Sequence, residues 1–384
     1  MASASVSQPP AAAADPERVL KQADLLRTTA RYPEAEILYR RALAMRQSEL
    51  QPSPQRIASA LYGLALLDRD TGRFAEAERL GKRAMADGVD TALALNLLGT
   101  VIRSEGRLEE ARTLLSQALN LVEASPRADS ATLAGVLINL GNVDRLKGDL
   151  PSARQHFARS VELLKNTGAG SALLPTALNG LSETARASGD LKLARSFSMQ
   201  ALSFLRQSVG TDHPDYATAL ATLAAIYVDL HNNRKARELY RNVLSIDERS
   251  FGTAHPRVGT DLNNIAVTSA QLHDYASAEF YFRRALAGPV NTVPSAFWRA
   301  NLAELCVRQS RRDEALHLYR EATSILGQAS SPTLRYAEIL EEYAVLLRGA
   351  GSYAEAEEAE TRAMRIRVRH AIENPTGAAR SKSG

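Results

Sequence analysis

Arginine recurs at one place in this chain. Arg27, Arg69, Arg103, Arg145, Arg186 and Arg348 each stand four residues beyond a small residue: Ala23, Ala65, Gly99, Gly141, Ser182 and Ala344. Val228, Ala270 and Val307 occupy the same place between the last two. A guanidinium fork grips a carboxylate or phosphate through paired hydrogen bonds that an ammonium cannot copy. Five consecutive arginines with no lysine therefore point to a row that reads anions. The plainer reading is a cation in the last turn of a helix, favoured by the dipole by roughly 0.3–1 kcal/mol; it accounts for positive charge but not for the choice of arginine. A second set is polar and uncharged: Asn96, Asn139, Asn142, Asn179, Asn263, Asn264 and Asn301. A side-chain amide both donates and accepts, so it can pair with a main chain of any sequence. The competing reading is that some of them satisfy neighbouring helix ends.

No other constellation suggests chemistry. There is no glycine-rich phosphate loop, GxSxG, HExxH or CxxC. His213 and His255 repeat one slot, and His231 and His273 repeat another, with no acidic or thiol companions, so we expect no metal, cofactor or catalytic site. The formal charge of +4 is too small to draw nucleic acid by bulk attraction, although the pI is 9.2. A single cysteine, Cys306, suggests a reducing compartment and a buried structural thiol. The first fifteen residues lack lysine, arginine and a leucine-rich run, unlike a secretory signal, and no stretch approaches 18 uncharged apolar residues. We therefore expect a cytoplasmic protein without membrane contact.

The elements that position these residues are legible as a repeat. GRFAEAERLGKRAM, centred on Ala77, returns around Ala35, Ala111, Ala153, Ala194, Ala236, Ala278, Ala315 and Ala356. Steps between successive anchors are 42, 34, 42, 41, 42, 42, 37 and 41, a period that signals a solenoid. Upstream of the anchors, residues recur at the spacing of one helical stripe, as in the apolar Leu61, Leu64 and Ala65 followed by Asp68. The stripe stops at Gly72, Gly106, Gly148, Gly189 or Gly351, the slot after a helix that favours a left-handed backbone. Ala77, Gly81 and Ala84 then give the second helix a small-residue flank for close approach. Each repeat is a helix hairpin whose apolar flank only the next hairpin can cover.

Gly99, Ala111 and Ala118 in the third repeat, and Ala266, Ala278 and Ala285 in the seventh, fill the small eighth, alanine twentieth and alanine twenty-seventh positions of a unit that resembles the tetratricopeptide repeat. The longer step, with VGTDHPDYATALATLAAIY and FGTAHPRVGTDLNNIAV, is similar to the long repeats of kinesin light chain. The resemblance implies an all-α, right-handed solenoid of about nine hairpins over residues 15–372, flanked by disordered tails at 1–14 and 373–384. It also implies that first helices line a concave wall through positions two, five, nine, twelve and thirteen. The arginine row falls at position twelve and the asparagines at five, six or nine. In kinesin light chain-like repeats, asparagines resembling those in DLNNIAV face a bound peptide backbone.

Along the chain, Asp15, Pro16 and Glu17 make a capped helix start, Pro52 and Pro54 separate the first two repeats, and Asp87 to Asp90 must be a tight loop. Gly210 to Pro214 and Gly252 to Pro256 are one turn used twice. Pro289 and Pro294 disturb the stacking, Trp298 beside Arg299 is expected to wedge between repeats, and TRAMRIRVRHAIEN should form a polar capping helix. The function that follows is a non-catalytic scaffold binding an extended, acidic or phosphorylated segment of a partner protein. The alternative is a sensor that changes curvature on binding a small ligand or signal peptide, with a pocket around Phe297 and Trp298. Oligomeric state is not legible.

Overall fold

A computed structural model describes residues 15–29, 31–126, 129–166, 173–288, 292–328 and 333–373. Pro289 and the two terminal tails, apart from Glu373 at the helix end, lie outside them. The described residues form helices and turns, arranged as two compact units divided between Ala128 and Asp129.

The first unit holds α1 (Pro16–Thr28), α2 (Tyr32–Gln47), α3 (Pro54–Asp70), α4 (Phe74–Ala86), α5 (Thr91–Ser104) and α6 (Leu108–Ala124). The second holds α7 (Ser130–Leu146), α8 (Leu150–Asn166), α9 (Leu173–Ala187), α10 (Leu191–Ser208), α11 (Pro214–Asp229) and α12 (Asn233–Phe251). It continues through α13 (Pro256–Gln271), α14 (Tyr275–Leu286), α15 (Val293–Arg308), α16 (Arg312–Leu326), α17 (Leu334–Gly349) and α18 (Tyr353–Glu373). Within each unit a helix packs on its hairpin partner and on the next hairpin, and leading helices touch leading helices: α1 on α3, α3 on α5, α7 on α9, α9 on α11, α13 on α15. Such nearest-neighbour packing is what a stacked repeat requires.

Local chemistry sets the hairpins. Asp15 caps α1, its carboxylate accepting the Glu17 amide at 3.1 Å. The five expected glycines after leading helices all have φ between 78° and 83°. In three repeats the same slot is His231, His273 or Ser310, also left-handed at 55°, 60° and 63°, so these histidines are turn residues. His213 and His255 cap α11 and α13, each accepting a backbone amide through its ring. The anchor alanines are fully buried, because a larger side chain would hold neighbouring helices apart.

Where a helix must approach more closely still, glycine faces an aromatic ring. A β-carbon on Gly180 would stand 2.2 Å from Phe157, and one on Gly259 would stand 2.3 Å from Trp298. Trp298 is thus inserted between the leading helices of consecutive repeats, as its position suggested, and Arg299 beside it is buried with its Nε on Glu321 at 3.0 Å. Cys306 is buried. A register of charges runs along the second helices: the residue four before the anchor alanine crosses to the residue just after the preceding anchor. Arg73 meets Glu36 at 2.9 Å and Arg311 meets Glu279 at 2.8 Å, while Arg237 and Asp274 do so with the signs exchanged at 2.9 Å. One expectation needs correcting. The last helix does extend to Glu373, but it is not polar throughout: Met364, Val368 and Ile372, four residues apart, form an exposed apolar stripe.

Candidate functional site

Leading helices carry the arginine row, and most of its forks are occupied. In the first unit Arg27, at the end of α1, donates from Nη1 to Asp70 of α3 at 2.6 Å. Arg69 holds the other oxygen of Asp70 at 2.7 Å and turns Nη1 to the Thr100 hydroxyl of α5 at 3.3 Å. Arg103 and Asn96 are half-buried on α5. In the second unit Arg145 pairs with Glu183 of α9 at 3.0 Å, and Arg186 with Asp229 of α11 at 2.9 Å. Arg348 differs, closing a two-pronged pair on Glu360 of α18 at 2.8 and 2.7 Å. Position twelve therefore reaches forward to an acid on the next leading helix in Arg27, Arg145 and Arg186. The charge of the row is largely matched within the chain. Arg27 and Arg145 still keep a buried Nε with no partner.

The asparagines separate into groups. Asn263 and Asn301 bond to each other across α13 and α15 at 2.9 Å, and Asn264 and Asn139 are half-buried on their helices. Asn142 and Asn179 converge on one recess of about 200 Å³ between α7, α9 and α11. The recess is completed by Thr176, Glu183, Asp215 and Thr218, over a floor that includes Leu205. In its wall the Asn179 Oδ1 is buried and has no hydrogen-bond partner. A buried acceptor left unmade costs about 1–3 kcal/mol.

Beyond Thr218, Arg257 donates to its hydroxyl at 3.0 Å and to the buried Asp247 at 2.9 Å. Asp261 lies behind, 5% exposed, with Oδ2 unpartnered. Burial first, and the charge of Asp247 second, push its carboxyl up to about 8. A second recess of about 220 Å³ lies against α13, α15 and α17, lined by Val267, Ala270, Phe282, Asn301, Glu304 and Leu305 among others. Ala270 stands here in the place that the row elsewhere gives to arginine, while Arg308 and Arg335 also line the wall.

Thr176, Glu183, Asp215 and Thr218 were not singled out by sequence. A signal was present, since Thr176, Thr218 and Thr260 recur at 42-residue intervals at position two, but attention to arginine and asparagine passed over it.

Stacked helix hairpins with a small-residue register and a side-chain-lined leading wall define an α-helical repeat protein of the interaction type. The tetratricopeptide repeat model matches residues 16–86, 90–166, 173–248 and 221–288, well over half of the chain, which belongs to that family. A TPR repeat-containing protein of Dictyostelium discoideum is 32% identical over 82 residues, 21% of this chain and 5% of that protein's length. Among solved structures, a Rap protein complexed with Competence and Sporulation Factor aligns over 93% of this chain and 99% of its own, at TM-score 0.61 and 12% identity. The apo form of RapI aligns over 92% and 98% at TM-score 0.56 and 15% identity. At those identities the likeness is one of fold. No helix among the described residues is long and apolar enough to cross a membrane.

Proposed function

We propose that this chain is a non-catalytic protein-interaction scaffold, its repeat array at 15–372 serving to hold an extended segment of a partner protein. In the second unit the segment lies along the leading helices, with Asn142 and Asn179 pairing with its main chain. The observation that carries this reading is the recess of about 200 Å³ on the leading helices in which Asn142 and Asn179 come together. Acidic or phosphorylated side chains of the segment exchange with Glu183 or Asp229 on the arginine forks of Arg145 and Arg186. A phosphate offers more oxygens than a single carboxylate and so competes best.

The test is affinity capture from native lysate with the wild-type chain and with Asn142→Ala/Asn179→Ala, helicity being checked by circular dichroism. The double variant should keep its helicity and lose the captured partner. An unchanged set of captured proteins would remove the groove reading. The sensor alternative is less well supported, because Trp298 is buried and committed to packing on Gly259.

A further inference from the structure

We infer that this chain pairs with a second copy of itself through α18, the two helices lying antiparallel across the exposed stripe of Met364, Val368 and Ile372. This surface is separate from the groove of the leading helices. In every earlier repeat the eighth residue after the anchor alanine is covered: Val161, Leu202, Leu244 and Thr323 are buried and the other four are half-buried. Within each unit, such second helices pack on the leading helix that follows. Met364 holds the same slot in α18 and is 68% exposed. The stretch after α18, Asn374 to Gly384, contains no leucine, isoleucine, valine or aromatic residue that could lie over it.

The pattern of charge identifies the occupant. Along the exposed side of α18, Ala354, Glu357, Thr361, Met364 and Val368 alternate intervals of three and four, the seam spacing of paired helices. Glu358, Arg365 and Arg369 each follow a seam residue by one, so they share one flank. All three are exposed and have no ion pair among the described residues. A twofold axis between Thr361 and Met364 turns that flank onto itself in the opposite direction. At a rise of 1.5 Å per residue, Glu358 of one copy then falls midway between Arg365 and Arg369 of the other, about 3 Å along the axis from each. The contact occurs twice. Met364 meets Met364 and Thr361 of the copy, and Ile372 reaches Tyr353, which is also exposed. Centring the axis on Val368 would match apolar residues better but set the arginines of the two copies against one another, and like charges so placed are costly.

Head-to-tail stacking of copies fits less well. Leu98 of α5 packs on the second helix before it, where a β-carbon on Gly81 would stand 3.0 Å away. Ala94 and Leu98 are both buried. In α1 the same two slots hold Arg18 and Gln22, both exposed. The corresponding flank of α1 is thus polar and basic, a poor cover for an apolar stripe that runs beside two arginines.

The experiment is sedimentation velocity on the full chain across a concentration series. One helix from each copy makes a small interface, in the class below about 1,200 Å² that is weak and reversible, so the wild type should pass from monomer to dimer in the micromolar range. Glu358→Arg should weaken the dimer by about tenfold or more, and so should Arg365→Glu/Arg369→Glu, with helicity by circular dichroism unchanged. The two variants mixed in equal amounts should form a heterodimer with an affinity near that of the wild type, because each supplies the charge the other lacks. A wild type that stays monomeric, or a dimer indifferent to both variants, would overturn the proposal. Weakening by both without rescue in the mixture would overturn the antiparallel arrangement. A monomeric wild type that instead co-sediments with phosphatidylserine vesicles, an interaction lost in Arg365→Glu/Arg369→Glu, would make the stripe a lipid-facing surface and equally refute the pairing.

Discussion

The insertion of Trp298 over Gly259 offers a test whose sign changes with background. A β-carbon added at Gly259 would lie 2.3 Å from Cη2, 2.7 Å from Cζ3 and 3.1 Å from Cζ2 of the indole. The indole is 4% exposed and packed among core residues, so it has little room to retreat. Overpacking of this kind costs about 1–3 kcal/mol, which is the expected loss for Gly259→Ala. Trp298→Ala opens a cavity between two leading helices and should cost about 3–5 kcal/mol. Once the ring is gone, the clash is gone, and alanine inside a helix is better than glycine by about 1 kcal/mol. Gly259→Ala should therefore stabilise the Trp298→Ala protein. The coupling between the two sites comes to about 2–4 kcal/mol, measured as a double-mutant cycle. Stacked repeats need not unfold in one step, so urea unfolding followed by circular dichroism should be paired with amide exchange in α13 and α15. The single tryptophan adds a local fluorescence signal in the wild type and in Gly259→Ala. An equal loss from Gly259→Ala in both backgrounds would refute the account of the contact.

Asp261 should make stability fall with rising pH. Its folded pKa is raised to about 8 from the usual carboxylate value of about 3.9, so the native state holds a proton that the unfolded chain releases between them. The stabilisation is complete below the unfolded value and is lost as pH rises through the folded one, an effect on the order of a few kcal/mol. Asp261→Asn should flatten that slope and exceed the wild type in urea midpoint at pH 8.5; a lower midpoint there would contradict it. Arg186→Gln should cost less than about 1 kcal/mol, since both members of its pair with Asp229 are about a third exposed, and a larger drop in melting temperature would mean that the pair is structural. Met364→Ser/Ile372→Ser should change stability by no more than about 0.5 kcal/mol and reduce concentration-dependent light scattering if the exposed stripe drives self-association.

Much of the architecture was legible because its causes are local. Anchor alanines, left-handed glycines and the Asp15 cap each act within a turn or a hairpin, so the string of residues carries them directly. Trp298 was legible as a wedge because the step shortens to 37 where it stands. The polar end expected of α18 was wrong, since the alternating arginines of TRAMRIRVRHAIEN hide three apolar residues spaced one turn apart. The partners of the arginine row were not legible. Arg27 and Asp70, like Arg186 and Asp229, are 43 residues apart, and only stacking of leading helices brings them within 3 Å of each other.

The amino-acid string alone thus determined that this chain is a run of helix hairpins with a tetratricopeptide register, and which residues stand on the leading helices. Periodicity does that work, because hydrogen bonds and close packing repeat over three to four residues and again over each hairpin. Tertiary structure decided which charges cancel, which asparagines satisfy each other, and which one is left with a buried, unpartnered oxygen. Those outcomes depend on distances between side chains from different repeats, and a distance between helices is set only when they pack.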